Sequence, residues 1–180
     1  MAVAAGHELR LETLAKHHDR AAFSCGVPDL DGYLKTQASQ DMRRKANAVF
    51  VMTTGESPTR VLGYFTLCAY TVSQAVVPEA ARRYVPRYPL VSATLIGRLA
   101  VDAAHQGRGL GAILLARALR KAYENTDVMG SSMIVVDALD DRASRFYAVH
   151  GFTQLADSMR LILPMQTVAD AIGGDARRPA

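Results

Sequence analysis

The sequence predicts a single α/β domain, with one central mixed, mostly antiparallel sheet of six to seven strands flanked by about four helices. Three observations predict it. Apolar runs of strand length alternate with segments of helical period along the 180 residues. The run Met133-Ile-Val-Val-Asp137 is apolar without alternation, as a strand covered on both faces must be. No repeat, low-complexity block or linker breaks the series. The domain is expected over residues 1–167, with 168–180 a flexible tail rich in Ala, Gly and Arg.

Each element has its own signal. Leu9 and Leu11 alternate with polar neighbours, which predicts an edge strand. Leu30, Leu34, Ala38 and Met42 recur every four residues and predict an amphipathic helix over 29–45, with Asp29 or Asp31 as its cap. Residues 48–53 and 60–68 read as a hairpin joined through Thr54-Gly-Glu-Ser-Pro58. A short helix is expected between Pro78 and Pro86, then a strand over 94–102 and a helix from Gly109 to about Asn125. After the strand 133–137, a helix over 141–150 closes at Gly151, and strands 152–155 and 160–163 complete the sheet.

Composition narrows the class. With 49% hydrophobic and 21% charged residues the chain is ordinary globular material, not a disordered one. No apolar run approaches the roughly 18 residues that span a bilayer. The first residues lack the basic and apolar regions of a signal peptide, so a cytoplasmic, soluble protein is expected. Cys25 and Cys68 form no CxxC pair, and His17-His-Asp19 has no spaced partner, so no metal site is expected. A net charge of +4 permits an anionic partner.

The chemistry concentrates in Leu99-Ala-Val-Asp-Ala-Ala-His-Gln-Gly-Arg-Gly-Leu-Gly-Ala112. A strand ends near Asp102, and Gln106, Gly107, Arg108, Gly109, Leu110 and Gly111 lead into a helix. Glycines let a backbone turn tightly and approach a ligand. The first amides of a helix have no internal partner and sit at its positive end, which suits phosphate. No Lys-Ser/Thr follows, so a Walker loop is excluded, and the spacing is not GxGxxG.

Gln106-Gly-Arg-Gly-Leu-Gly111 resembles the Q/R-x-x-G-x-G/A motif of the GNAT acetyltransferases. Asp140-Asp-Arg-Ala-Ser-Arg-Phe-Tyr-Ala-Val-His-Gly-Phe152 is similar to the family's second signature, and the two stand in the family's order. The resemblance implies the GNAT fold and acetyl-CoA as co-substrate. It implies that the amides from Gly107 to Ala112 cradle the pyrophosphate and that Leu99, Ala100 and Val101 pair with the pantetheine arm, with room made by a splay from the next strand. An amide near Ala100 or Val101 would polarise the thioester carbonyl, and Tyr147 would protonate the departing thiolate. The family often carries Asn where this chain has Asp140. No general base is evident, since His105 and His150 read as solvated loop histidines; an α-amine, with a reference pKa of about 7.7–8.0, is the acceptor best able to react without one.

A narrower resemblance rests on Phe23-x-Cys-Gly26, Leu30-Asp-x-Tyr-Leu34, Ala38-Ser-Gln-Asp41, Val61-Leu-Gly-Tyr64, Pro86-Arg-Tyr-Pro89, Leu95-Ile-Gly-Arg-Leu-Ala-Val-Asp102 and Leu161-Ile-Leu-Pro-Met165. These segments are similar to the toxin branch of the family, from type II toxin–antitoxin modules. That branch acetylates the α-amine of aminoacyl-tRNA and blocks translation. It implies a ribbon-helix-helix antitoxin, operator DNA reached only through that antitoxin, and a homodimer. Lys35, Arg43, Arg44 and Lys45 form one basic cluster; Arg82, Arg83, Arg87 and Arg98 form a second, and both are candidates for tRNA phosphates. The alternative is a GNAT enzyme acting on a small amine or a protein N-terminus.

Overall fold

The computed structural model describes residues 8–175. Seven strands form one sheet in the order β1-β2-β3-β4-β5-β7-β6. They are β1 (Leu9–Thr13), β2 (Ala48–Thr54), β3 (Gly63–Ser73), β4 (Leu90–Val101), β5 (Met133–Asp137), β6 (Thr153–Gln154) and β7 (Arg160–Pro164). The β1–β2, β2–β3, β5–β7 and β6–β7 pairs are antiparallel, and β4–β5 is parallel. The helices are α1 (Pro28–Gly32), α2 (Ala38–Arg43), α3 (Glu79–Arg82), α4 (Leu110–Glu124), α5 (Asp141–Val149) and α6 (Met165–Asp175). The mixed α/β sheet read from the sequence is therefore the observed one, with β1 at an edge. Among the described residues no helix is long and apolar enough to cross a membrane. The described chain divides into two compact units, residues 8–68 with 97–118, and residues 69–96 with 119–175.

The first unit is built on β1, β2 and the start of β3. Val49 and Val51 alternate inward along β2 and meet Leu14, Phe23, Leu34, Val61 and Tyr64 in a buried core. Phe23 sets its ring edge against Tyr64, with centroids 5.5 Å apart, and the Tyr64 hydroxyl donates to the Leu30 carbonyl at 2.7 Å. The single helix expected over 29–45 is instead three pieces. Tyr33–Gln37 forms a π turn between α1 and α2, marked by the Ala38 N–H reaching back five residues to the Tyr33 carbonyl. Two consecutive residues of this turn, Tyr33 and Leu34, both enter the core. The expected cap also differs. Val27 holds the N-cap position with Pro28 in the first turn, and Asp31 instead accepts the Cys25 N–H at 2.8 Å. Further on, β3 starts at Gly63 rather than Arg60, where a Cβ would come within 2.9 Å of the Ala100 carbonyl oxygen.

In the second unit Met133, Ile134, Val135 and Val136 are fully buried, as the unbroken apolar run demands. Met133 and Val135 pack with Val72, Val91 and Ile162. The short helix α3 lies between Pro78 and Pro86 as expected. Strand β4 begins at Leu90, four residues earlier than the sequence suggested, and its parallel ladder with β5 runs from Ala93↔Met133 to Ile96↔Val136. Asp140 caps α5, its carboxylate accepting the Ala143 N–H at 2.8 Å, and Gly151 ends that segment at φ 93°. Residues 168–175, expected to fray, belong to α6, which is held by the burial of Met165 and Val168. Residues 1–7 and 176–180 lie outside the described residues.

Candidate active site

The glycine-rich turn lies in the first unit. Strand β4 ends at Val101, a short 3-10 turn covers Ala103–His105, and α4 starts at Leu110. Gly107 and Gly109 adopt φ of 73° and 79°, the left-handed region in which a side chain is strained. A Cβ built on either meets nothing within 4 Å, so the turn presents bare backbone to open space. The first amides of α4, at Leu110, Gly111 and Ala112, lack partners within their own helix and add its positive end. Arg108 is exposed beside them. Gln106, expected to touch the ligand, is exposed, and its side-chain amide is engaged by backbone. Its Nε2 donates to the Val101 carbonyl at 2.8 Å and to the Cys25 carbonyl at 2.9 Å, which pins the turn to the strand end.

Asp102 anchors the base of this turn and was not singled out by sequence reasoning. Only 3% exposed, it accepts N–H groups from Ser24 at 3.1 Å and Ala104 at 3.2 Å, faces the His105 ring at 3.3 Å, and pairs with Arg60 at 3.6 Å. Burial alone would raise its carboxyl pKa, but the Ser24 N–H, the His105 ring, the Ala104 N–H and the Arg60 cation together hold it below the ordinary carboxylate value. A depressed carboxyl stabilises the fold at neutral pH, and that contribution fades as pH falls below the unfolded value of 3.8. Asp102→Ala leaves buried donors unpaired and is expected to lower unfolding free energy by about 2–4 kcal/mol in urea titration at pH 7. A loss under about 0.5 kcal/mol would show the anchor to be dispensable.

Tyr147 lies in the second unit, on α5. It is 7% exposed, with ring centroids 5.2 Å from Phe146 and 5.4 Å from Phe152 in edge-to-face packing. Burial pushes its phenol up to about 12, so the group keeps its proton throughout the physiological range. Of the two histidines near the motifs, His105 is tied to Asp102, and the His150 ring nitrogen lies 2.7 Å from the Phe146 carbonyl.

The basic residues divide between the units. Lys35, Arg43, Arg44 and Lys45 are exposed in the first. Arg98, also in the first, lays its guanidinium carbon 3.5 Å over the Tyr33 ring centroid. In the second unit Arg82 is occupied, donating to Glu79 at 2.9 Å and to the Val77 carbonyl at 3.0 Å. Arg83 and Arg87 are exposed, and Arg83 donates to the Tyr84 hydroxyl at 2.6 Å with its guanidinium carbon 4.6 Å over that ring. The sequence reading missed that Tyr84 and Tyr88 interleave these arginines and are 39% and 66% exposed. Arginine beside an exposed aromatic was the signal available for finding them.

Glu12, His17 and His18 place ligand-type atoms within 4.8 Å of one another. The Ala15 N–H donates to His18 Nδ1 at 2.9 Å, which puts the ring hydrogen of the neutral imidazole on Nε2. That hydrogen occupies the lone-pair position a metal would need; His18 Nε2 lies 3.3 Å from Glu12 Oε2 without forming a hydrogen bond. The trio reads as a turn fastened to β1.

Residues 47–154 match the family model described as an acetyltransferase (GNAT) domain. The "tRNA-acetylating toxin" of Mycobacterium tuberculosis is 35% identical over 156 residues, spanning 86% of this chain and 91% of that protein. Among solved structures, AtaT complexed with acetyl-methionyl-tRNAfMet superposes with a TM-score of 0.83 at 28% identity, covering 92% of this chain and 99% of that one. A mutant of AtaT bound to acetyl-CoA and to the C-terminus of the antitoxin AtaR gives a TM-score of 0.77 at 26% identity, over 92% and 99% of the two chains.

Proposed function

Because the chain belongs to the GNAT family of acetyltransferases, we propose that it is the toxin of a type II toxin–antitoxin module. It transfers the acetyl group of acetyl-CoA to the α-amine of aminoacyl-tRNA and so blocks translation. The observation that carries the acetyl-CoA half is the turn 106–111, with two left-handed glycines, open space before them and a helix start behind. The likeness to a tRNA-acetylating toxin over 86% of the chain supports the acceptor.

The residues of the chain take these parts. Backbone N–H groups from Gly107 to Ala112 receive the pyrophosphate, with Arg108 adding a charge-assisted contact. Strand β4 runs five residues past its ladder with β5, and Leu99 and Ala100 pair with the amide-bearing arm. The Val101 carbonyl is engaged by Gln106, so Val101 contributes through its N–H, in line to polarise the thioester carbonyl. Tyr147 presents its O–H to the leaving sulfur. Arg83 and Arg87 neutralise tRNA phosphates, while Tyr84 and Tyr88 offer stacking faces to unpaired bases. The exposed cluster Lys35, Arg43, Arg44 and Lys45 adds to the attraction. The toxin works in the cytoplasm as a homodimer. A ribbon-helix-helix antitoxin restrains it and connects it to operator DNA.

Mass spectrometry of total charged tRNA after incubation with the protein and acetyl-CoA is expected to show N-acetylated aminoacyl ends. Reversing Arg83 and Arg87 to Glu should leave acetyl-CoA affinity intact and slow tRNA modification by roughly 10- to 100-fold at physiological salt. Acetylated ends absent from every isoacceptor would sink the acceptor assignment.

A further inference from the structure

Arg98 and Tyr33 make an arrangement that the reaction as described does not use. Arg98 follows Gly97 on β4, two residues before Ala100, so the two side chains leave the same face of the strand about 7 Å apart along it. The guanidinium lies flat on Tyr33, its central carbon 3.5 Å from the ring centroid. A guanidinium stacked by its face keeps its N–H donors directed in the plane of the fork, clear of the ring. The ring is itself fixed. Tyr33 is carried by the π turn and buried among Phe23, Leu34 and Tyr64. Its hydroxyl donates to Asp41 Oδ2 at 3.0 Å, and Asn47 Nδ2 donates to the same oxygen at 3.0 Å. Asp41 Oδ2 thus accepts from two neutral donors, and the Arg98 cation is braced by an aromatic face.

We propose that Arg98, held in plane by Tyr33 as a positioning residue, grips the phosphate of the terminal acceptor nucleotide and so distinguishes charged tRNA from free amines. This rests on the acceptor proposed above. A rigid planar fork a short way along the strand from the thioester-polarising amides suits an anion lying a fixed span behind the attacking amine. The phosphate behind the aminoacyl ester is such an anion, whereas a free amino acid or an aminoacyl nucleoside has none. The π turn carries both Tyr33 and Leu34, and both are buried.

The test compares two small acceptors with the full chain, an aminoacyl adenosine and the same compound bearing a 5′-phosphate. The wild type is expected to show a KM roughly 10- to 100-fold lower for the phosphorylated acceptor at similar kcat. Arg98→Gln should erase that difference while leaving kcat and acetyl-CoA affinity unchanged, and Arg98→Lys should restore only part of it. Tyr33→Leu, checked for folding by circular dichroism, should resemble Arg98→Gln, and Tyr33→Phe, which keeps the ring, should retain most of the discrimination. Equal KM values in the wild type, or an unaltered phosphate preference in Arg98→Gln, would overturn the clamp. Loss of kcat with unchanged KM in Tyr33→Leu would overturn its positioning role. If the wild type acetylates neither compound nor charged tRNA, the failure lies with the acceptor assignment itself.

Discussion

Replacing Tyr147 with phenylalanine is expected to lower kcat by roughly 100- to 1,000-fold while acetyl-CoA affinity stays within about twofold of the wild type. The substitution removes one oxygen and keeps the ring that packs on Phe146 and Phe152, so the helix should fold as before. The proton balance explains the size of the effect. The attacking amine finishes with one proton too many and the departing sulfur with one too few. A phenol raised to about 12 is a weaker acid than a thiol of reference pKa about 8.5. In the proposed reaction Tyr147 would therefore give its proton only as it regains one from the amine side, a relay rather than a net donation. It also follows that turnover rises as the acceptor amine loses its proton, near pH 8, and then stays level to about pH 10. A falling limb below pH 10, or full turnover in Tyr147→Phe, would mean that another group serves the sulfur.

The second large effect belongs to Gly109. Gly109→Asp is expected to weaken acetyl-CoA binding by roughly 100-fold or more, since it sets a carboxylate among the amides proposed to receive phosphate. The backbone there has φ 79°, so part of any loss is strain common to every side chain. Gly109→Asn separates the two, because it matches the shape and left-handed tolerance of Asp without the charge. Calorimetry should show the Asn variant losing at most about tenfold. Equal losses in both variants would reduce the turn to a conformational requirement, and no loss in either would refute the phosphate cradle.

The elements legible in the sequence were those whose signal is local. The run Met133–Val136, the glycines after β4 and the Phe-Tyr helix each declare themselves through composition or spacing, and each lies where the reading put it. What escaped depends on residues far apart in the chain. Asp102 reads as a strand terminator until Ser24 and Arg60 arrive from elsewhere. The hold of Gln106 on the Cys25 carbonyl likewise joins residues 81 positions apart. The π turn escaped because the four-residue recurrence of Leu30, Leu34, Ala38 and Met42 is compatible with an α-helix throughout. Residues 168–175 of α6 read as tail because of their Ala and Gly content, and the burial of Met165 and Val168 supplies what propensity does not.

The π turn at Tyr33–Gln37 amounts to one codon beyond what an unbroken helix needs. A chain lacking that codon would still encode a well-formed helix, but everything on one side of the deletion would be swung by about 100° relative to the other. Natural variation around this segment should thus be punctuated rather than gradual. Substitutions within the turn preserve the geometry, whereas a single insertion or deletion takes Tyr33 off the guanidinium in one step. An alignment of such chains would show this as a one-residue gap, at a place where no loop exists to absorb it.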